Sequence, residues 1–398
     1  MRGQRAAALA ALAVAGVASA QSSVTLFGTV DASISGVSNK SSLVTPNFLA
    51  PGSITTSKTG LNNSAYDSSR LGFRGVEDLG GGLAASFHLE GAVSNDDGGS
   101  GSNFQRRSTV SLSGNFGEVR LGRDYKPSFW NFTVFSPFGT NGAGTNLIHR
   151  ALVGERPEGA GLVRSSNSIG YFLPKNLGGF YGQVQYAFHE KAKIDPGQGV
   201  LNAASNDSRG GRYWGGRFGY ANGPLDVALA YGEANLGSNF LAGEDQTAKN
   251  LNFGASYDFG VVKLFGQYAR VIDRIERSGS AVGLSPRSKF DGYLLGLTAP
   301  VGAGVVKASY GYVRQNNDFV QVKPKASQLA VGYVHNLSKR TALYTTVAYI
   351  RNKNGADLTA DAGNVTASFA TPTTFGGVAT DYRAKTSIGY DVGIRHSF

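Results

Sequence analysis

The chain reads as an all-β protein, a 16-stranded antiparallel transmembrane β-barrel, and three observations lead there. The final segment, Ser387 to Phe398, sets apolar Tyr390, Val392, Ile394 and Phe398 on one parity, broken only by His396, with Asp391 and Arg395 on the other. A strand of that length with one oily and one wet face crosses a bilayer obliquely. At the other end, Arg2 and Arg5 precede the apolar run Ala6 to Ala18, and Ala18-Ser19-Ala20 forms a small-x-small cleavage site before Gln21. That is the form of a secretory signal peptide, assigned to residues 1–20, with the barrel in 21–398. Finally, no later stretch reaches the roughly 18 consecutive apolar residues of a helical span, although aromatics are 11% and glycines number 56. A barrel disperses its apolar residues at every second position, so its mean hydropathy resembles that of a soluble chain.

The alternation recurs along the sequence. Val24, Leu26, Val30 and Ile34 interleave with Thr25, Thr29, Asp31 and Ser33. Phe180, Val184, Tyr186 and Phe188 interleave with Gln183, Gln185 and His189, and Leu251, Phe253, Tyr257 and Phe259 with Asn250, Asn252, Ser256 and Asp258. Sixteen strands would allot roughly 24 residues to each strand with its connection. Tight, glycine-bearing connections (Glu77 to Gly82, Gly114 to Gly117, Asn176 to Gly179, Ala221 to Pro224, Pro300 to Gly304) suit hairpin turns that need positive φ. Longer polar stretches alternate with them, near 36–66, 94–103, 125–163, 191–210, 235–247, 273–288, 315–325 and 352–383. The short turns belong in the periplasm and the long loops outside.

The third long stretch, 125–163, carries the sharpest functional signal. From Tyr125 to Gly154 it has no Asp or Glu, but it holds Lys126, His149 and Arg150 with Phe129, Trp130, Phe132, Phe135 and Phe138. Burying so many rings is worth a few kcal/mol in total, roughly. A third loop folded into the lumen satisfies them; packing over the outer rim or on a neighbouring subunit is the alternative.

Parity then aims the basic residues. Outward Leu71 and Phe73 put Arg70 and Arg74 inside. Outward Val110 and Leu112 put Arg107 inside and Arg106 outside unless a bulge intervenes, and Arg164 has inward parity ahead of Ile169 and Tyr171. With periplasmic termini, Arg70, Arg107 and Arg164 each begin a descending strand, at the height of an infolded loop. Permanently charged guanidiniums lining a narrow throat favour anions. The competing reading is ion pairing: the hairpin about Gly98-Gly99 sets Glu90 opposite Arg107, and Arg120 has Glu118 and Asp124 within reach.

Other classes fit less well. The five histidines are scattered, without i, i+2 or i, i+4 pairs, and no glycine-rich phosphate loop ends in Lys-Ser or Lys-Thr. The formal charge of +11 is spread evenly and mixed with acids, unlike a nucleic-acid-binding face. Zero cysteines exclude a disulfide framework. No enzyme, cofactor or metal is expected, apart from weak Ca²⁺ binding at acidic tips such as Asp96-Asp97. A substrate-specific outer-membrane channel and a structural or adhesive barrel remain as alternatives.

Several blocks together resemble a known family: Ser22 to Gly28, Ser69 to Gly80, Arg106 to Val110, Gly117 to Asp124, Val334 to Thr341 and Gly393 to Phe398. They resemble the Gram-negative general porins, in particular the anion-selective porins of Comamonas-type bacteria. The resemblance implies a 16-stranded barrel in the outer membrane, a homotrimer, a constricting third loop, and passive diffusion of small anionic and neutral hydrophilic solutes. It also implies that Phe398 is read by the barrel-assembly machinery. The family's constriction arginines fall on Arg70, on Arg106 or Arg107, and on Arg164, with Arg74, Glu90, Arg120 and Lys126 nearby. A lysine that related porins offer the lumen late in the chain has no counterpart between Gly355 and Tyr382.

Overall fold

The structure, a computed structural model, describes residues 23–45, 48–99, 103–154, 162–191, 210–239, 244–277, 287–318, 321–375 and 378–398. The signal peptide expected at 1–20 lies outside them. The strands are β1 (Ser23–Leu43), β2 in two segments (Ser53–Asn63 and Arg70–Gly80), β3 (Leu83–Ala92), β4 (Arg107–Gly114), β5 (Gly117–Tyr125), β6 (Arg164–Phe172), β7 (Phe180–Ala187) and β8 (Tyr213–Asn222). They continue with β9 (Leu225–Asn239), β10 (Glu244–Asp258), β11 (Lys263–Arg277), β12 (Arg287–Val301), β13 (Gly304–Asn317), β14 (Lys325–Asn336), β15 (Thr341–Lys353) and β16 (Tyr382–Ser397).

Each strand pairs antiparallel with the next, and β16 returns to β1 from Leu43↔Tyr382 down to Thr29↔Ser397. Both segments of β2 pair with β1, so seventeen ladder segments make a closed barrel of sixteen staves. At the seam the Gly28 and Phe398 backbones exchange hydrogen bonds of 3.0 and 3.1 Å. A Cβ on Gly28 would fall within the Phe398 ring, so the terminal aromatic fills a notch that only glycine leaves open.

Parity sorts the two faces. Val24, Leu26 and Ile34 are exposed outward while Thr29, Asp31, Ser33 and Ser35 are buried inward. Exposed aromatics follow the outward positions, with Phe180 on Tyr220 and Tyr257 on Phe259 near the short turns. An apolar belt with a polar interior inverts the soluble pattern and matches a strand wall in lipid. In the short turns, Gly81, Gly82, Gly178 and Gly179 hold positive φ.

The ladders run further than the hydrophobic pattern indicates. β1 and β2 stay paired up to Ser42↔Ser53, and β9 and β10 up to Asn239↔Glu244, so most of 36–66 and 235–247 is strand rather than loop. In these extensions both faces carry mostly polar residues, so the period-2 signal vanishes although the hydrogen bonds continue.

The break in β2 has a single organiser. The Asp31 carboxylate accepts the Tyr66 and Asp67 amides at 2.9 and 2.6 Å, and the Tyr344 hydroxyl also donates to it. Ser64, at φ 68°, turns the chain, and its Oγ accepts the Ser69 amide at 2.8 Å. Residues 64–69 thereby leave the wall and enter the lumen.

Candidate pore constriction

Two short helices belong to the third loop: α1 (Pro127–Val134) and α2 (Leu147–Gly154). Pro127 starts α1 with a pre-set φ, and the Asn146 side chain accepts the Ile148 amide at the head of α2. Both lie against the inner wall. Phe129, Phe132, Phe135, Leu147 and Ile148 are buried, and inward glycines make room for them. A Cβ on Gly254 would enter the Phe135 ring, one on Gly292 would meet Ile148, and one on Gly311 would meet Leu147. Amides tie the backbone down: Asn252 Nδ2 donates to Ser128 O, Gln267 Nε2 to Asn131 O and Gln328 Nε2 to Thr145 O, at 2.8, 2.6 and 3.0 Å. The far end reaches β16, where Ala143 N donates to Asp391 Oδ2 at 2.7 Å. Beside it, Asn141 Oδ1 accepts from Ser68 Oγ at 3.2 Å. The loop thus skirts the wall from β5 to β16, opposite the wall of β2 to β6.

The arginines occupy that opposite wall. Arg70 Nη1 donates to Asp67 Oδ1 at 2.8 Å and to Ser68 O at 2.7 Å, so the break in β2 supplies its acid. Arg106 precedes the β4 ladder, so strand parity does not govern it. Its Nε sits 2.5 Å from Glu90 Oε1 and its Nη2 donates to Tyr125 Oη at 3.0 Å. This corrects the outward orientation expected for Arg106. Arg107 stands across the ladder from Glu90, yet its guanidinium lies 3.4 Å from Asp124 Oδ1; the two neighbouring arginines have divided the two acids between them. Arg120 bridges Glu118 and Asp124 at 2.8 and 2.6 Å and covers the Phe172 ring at 4.0 Å. Arg164 donates to Tyr125 Oη at 2.6 Å and lies 4.3 Å from that ring's centroid; no carboxylate is within ion-pair distance among the described residues. Arg74 is exposed lower on the same wall, beside the Phe27 ring. Lys126 is buried at the root of the loop, its Nζ 4.6 Å from the Tyr213 centroid.

Tyr125 is the residue that sequence reasoning missed. Its hydroxyl accepts from both Arg106 and Arg164, and its ring stacks on Phe129 at 5.6 Å and meets Trp130 at 4.8 Å. It joins the basic wall to the loop. A second overlooked pair is Lys307 and Arg395, which flank the Tyr66 ring at 4.5 and 5.4 Å. The eighth loop also turns inward: Arg150 Nη2 donates to Asp361 O at 3.0 Å, and Ala360 N to Ser387 Oγ at 2.7 Å.

Inside the loop, His149 is buried between Phe129 and Phe132 with neither ring nitrogen bonded among the described residues. Burial, reinforced by the neighbouring Arg150 charge, pushes its pKa down from 6.5 to about 4. The detached loop therefore binds a proton below the ordinary histidine pKa while the docked loop does not. Docking is at full strength above pH 6.5 and weakens as pH falls toward 4, by up to about 3 kcal/mol in all. Hydrogen exchange over residues 147–154 should accelerate between pH 6.5 and 4 relative to the barrel strands. The same scan on His149→Phe should be flat; an equal acceleration in the variant would put the proton elsewhere.

A closed sixteen-stranded barrel, apolar outside, polar within and partly crossed by its own third loop, is a channel of the outer-membrane class. The chain belongs to the Gram-negative porin family, whose pattern matches residues 6–356. It is 40% identical over 393 residues to outer membrane porin protein 32 of Delftia acidovorans, with 98% of each chain covered. It is 33% identical to an outer membrane porin protein of Bordetella pertussis, covering 85% of this chain and 91% of that one. Among solved structures it resembles the anion-selective porin from Comamonas acidovorans, with a TM-score of 0.73 at 39% identity, covering 95% of this chain and 100% of the other. OmpT of Vibrio cholerae shares the fold at 14% identity, with a TM-score of 0.60 and 96% and 99% coverage. The protein is thus an outer-membrane porin of a Gram-negative bacterium, and these relatives are channels rather than enzymes.

Proposed function

We propose that the pore passes small hydrophilic solutes by passive diffusion and prefers anions. In this reading the constriction lies between the third loop and the wall that carries Arg70, Arg106, Arg107 and Arg164, with Arg74, Glu90, Arg120 and Lys126 around it. One observation carries the proposal: Tyr125 to Gly154 contains no acid, so nothing on that stretch of the loop offsets the basic wall. Across the aperture, Asp67, Glu90, Glu118 and Asp124 answer Arg70, Arg106, Arg107 and Arg120, leaving Arg164 and Arg74 in surplus among the described residues. The balance is modest, so the preference rests on placement rather than on a large excess of charge. Similarity to a porin described as anion-selective points the same way. Assembly as a homotrimer, and reading of Phe398 by the barrel-assembly machinery, belong to the same proposal.

The test is a planar bilayer holding the mature protein under a KCl gradient. Conductance steps with a zero-current potential of the anion-selective sign are expected. The opposite sign would overturn the charge reading, and folded protein that conducts nothing would favour a structural or adhesive barrel. Glu90→Gln removes the acid facing Arg106, so it should move that potential further in the anion direction.

A further inference from the structure

Two lumen cations stand apart from the arginine wall. Lys307 has inward parity on β13, where Tyr310 is exposed outward, and Arg395 has inward parity on β16, where Val392 and Ile394 are. Lys307 is four residues nearer the short turns than Gly311, against which Leu147 of the third loop packs. Arg395 is four residues nearer them than Asp391, which accepts the Ala143 amide of that loop. Four residues of strand measure about 13 Å, so both cations lie beneath the loop, at the short-turn end of the lumen.

Tyr66 brings them together. The excursion at 64–69 sets its ring centroid 4.5 Å from Lys307 Nζ and 5.4 Å from the Arg395 guanidinium carbon, so the two cations are no more than about 10 Å apart. Neither has a carboxylate within ion-pair distance among the described residues, and Arg395 Nε has no hydrogen-bond partner there. Asp31 stands across the ladder from Arg395, yet its oxygens accept the Tyr66 and Asp67 amides and the Tyr344 hydroxyl. Asp391 is likewise engaged by Ser35 Oγ and the Ala143 amide. Both cations are half-buried, so each keeps part of its surface toward the lumen. A partly desolvated ammonium beside a guanidinium, with no acceptor offered to either, is costly to leave unanswered.

We infer that Lys307 and Arg395, held on the Tyr66 ring, form a second anion subsite beneath the third loop, for small divalent oxyanions. Such an ion offers several acceptor oxygens at once, so it can meet the ammonium and the guanidinium together. Chloride has a single centre and does not match the fork of a guanidinium. The subsite rests on the proposed passage of anions and adds the class of solute that is retained. A divalent anion leaving the arginine wall meets a second cationic station before the short-turn mouth.

Crystals of the porin soaked in sodium selenate test the inference, because selenium is located by its anomalous scattering. A peak within hydrogen-bond distance of both Lys307 Nζ and the Arg395 guanidinium is expected, and it should vanish in Lys307→Gln. In planar bilayers, sulfate added on the short-turn side should reduce the chloride current at millimolar concentration. Lys307→Gln and Arg395→Gln should each raise the sulfate midpoint about tenfold, and Lys307→Arg should keep it near wild type. Lys307→Gln alone decides the matter if Arg395→Gln, so close to the end of the closing strand, fails to assemble. An empty subsite at saturating selenate, or a peak that survives in Lys307→Gln as an adventitious ion only, would overturn the inference. So would a sulfate midpoint that Lys307→Gln leaves unchanged and Arg164→Gln raises; that result puts the divalent-anion site at the constriction while the anion preference stands. A cation-selective zero-current potential alongside an intact selenium peak would support the subsite and sink the wider reading.

Discussion

Replacing Gly254 by Val should detach the third loop and raise single-channel conductance. The Phe135 ring occupies the space that a Cβ at Gly254 would need, and Phe135 is fully buried there. The wall strand has hydrogen-bonded neighbours on both sides and cannot retreat, so the ring must leave. Losing the burial of a phenylalanine costs about 3–5 kcal/mol by analogy with truncations in cores. The remaining anchors, the Asn252, Gln267 and Gln328 amides, contribute about 1 kcal/mol each. A displaced loop widens the aperture and adds flicker to the current trace. Phe135→Ala empties the same slot without crowding the wall and should act in the same direction. If both variants keep wild-type conductance and noise, Phe135 is not what holds the loop.

The second large effect concerns sign. Changing Arg106, Arg107 and Arg164 together to Gln leaves Glu90 without an arginine and Asp124 shared with Arg120 alone. The wall then carries more carboxylates than guanidiniums, while the loop's own cations, Lys126 and Arg150, are turned to the Tyr213 ring and to the backbone carbonyls of Gly142, Ala143 and Asp361. The zero-current potential should pass through zero toward the cation sign. A tenfold change in permeability ratio corresponds to about 1.4 kcal/mol, or about 60 mV across the membrane. A shift on that order is the expectation. An unchanged potential would place the selectivity-determining charges elsewhere, with Lys307 and Arg395 the next to examine.

The barrel itself was legible because lipid outside and water inside impose a strict period of two, which Val24 to Ile34 and Tyr390 to Phe398 display. The aromatic, acid-free third loop was legible for a similar reason: so many rings cannot remain in water. What escaped depended on partners distant in sequence. Parity could aim Arg107 inward, but it could not foresee that Arg106, just ahead of the strand, would take Glu90 and leave Arg107 to Asp124. The break in β2 follows from Asp31, some thirty-five residues upstream of the amides it binds. Gly254, Gly292 and Gly311 look like weak points in a strand pattern until the loop side chains that fill them are in place.

The seam between the first and last strands governs how this molecule can be made. β1 must wait for β16, some 370 residues later, before its second edge is satisfied. Until then the growing sheet has two open edges, each able to recruit another chain. The contact that ends this exposure has nearly the largest sequence separation the chain allows, and such contacts form slowly. Closure is therefore the step at which assembly competes with aggregation. The notch at Gly28 and the ring of Phe398 meet only when that seam closes.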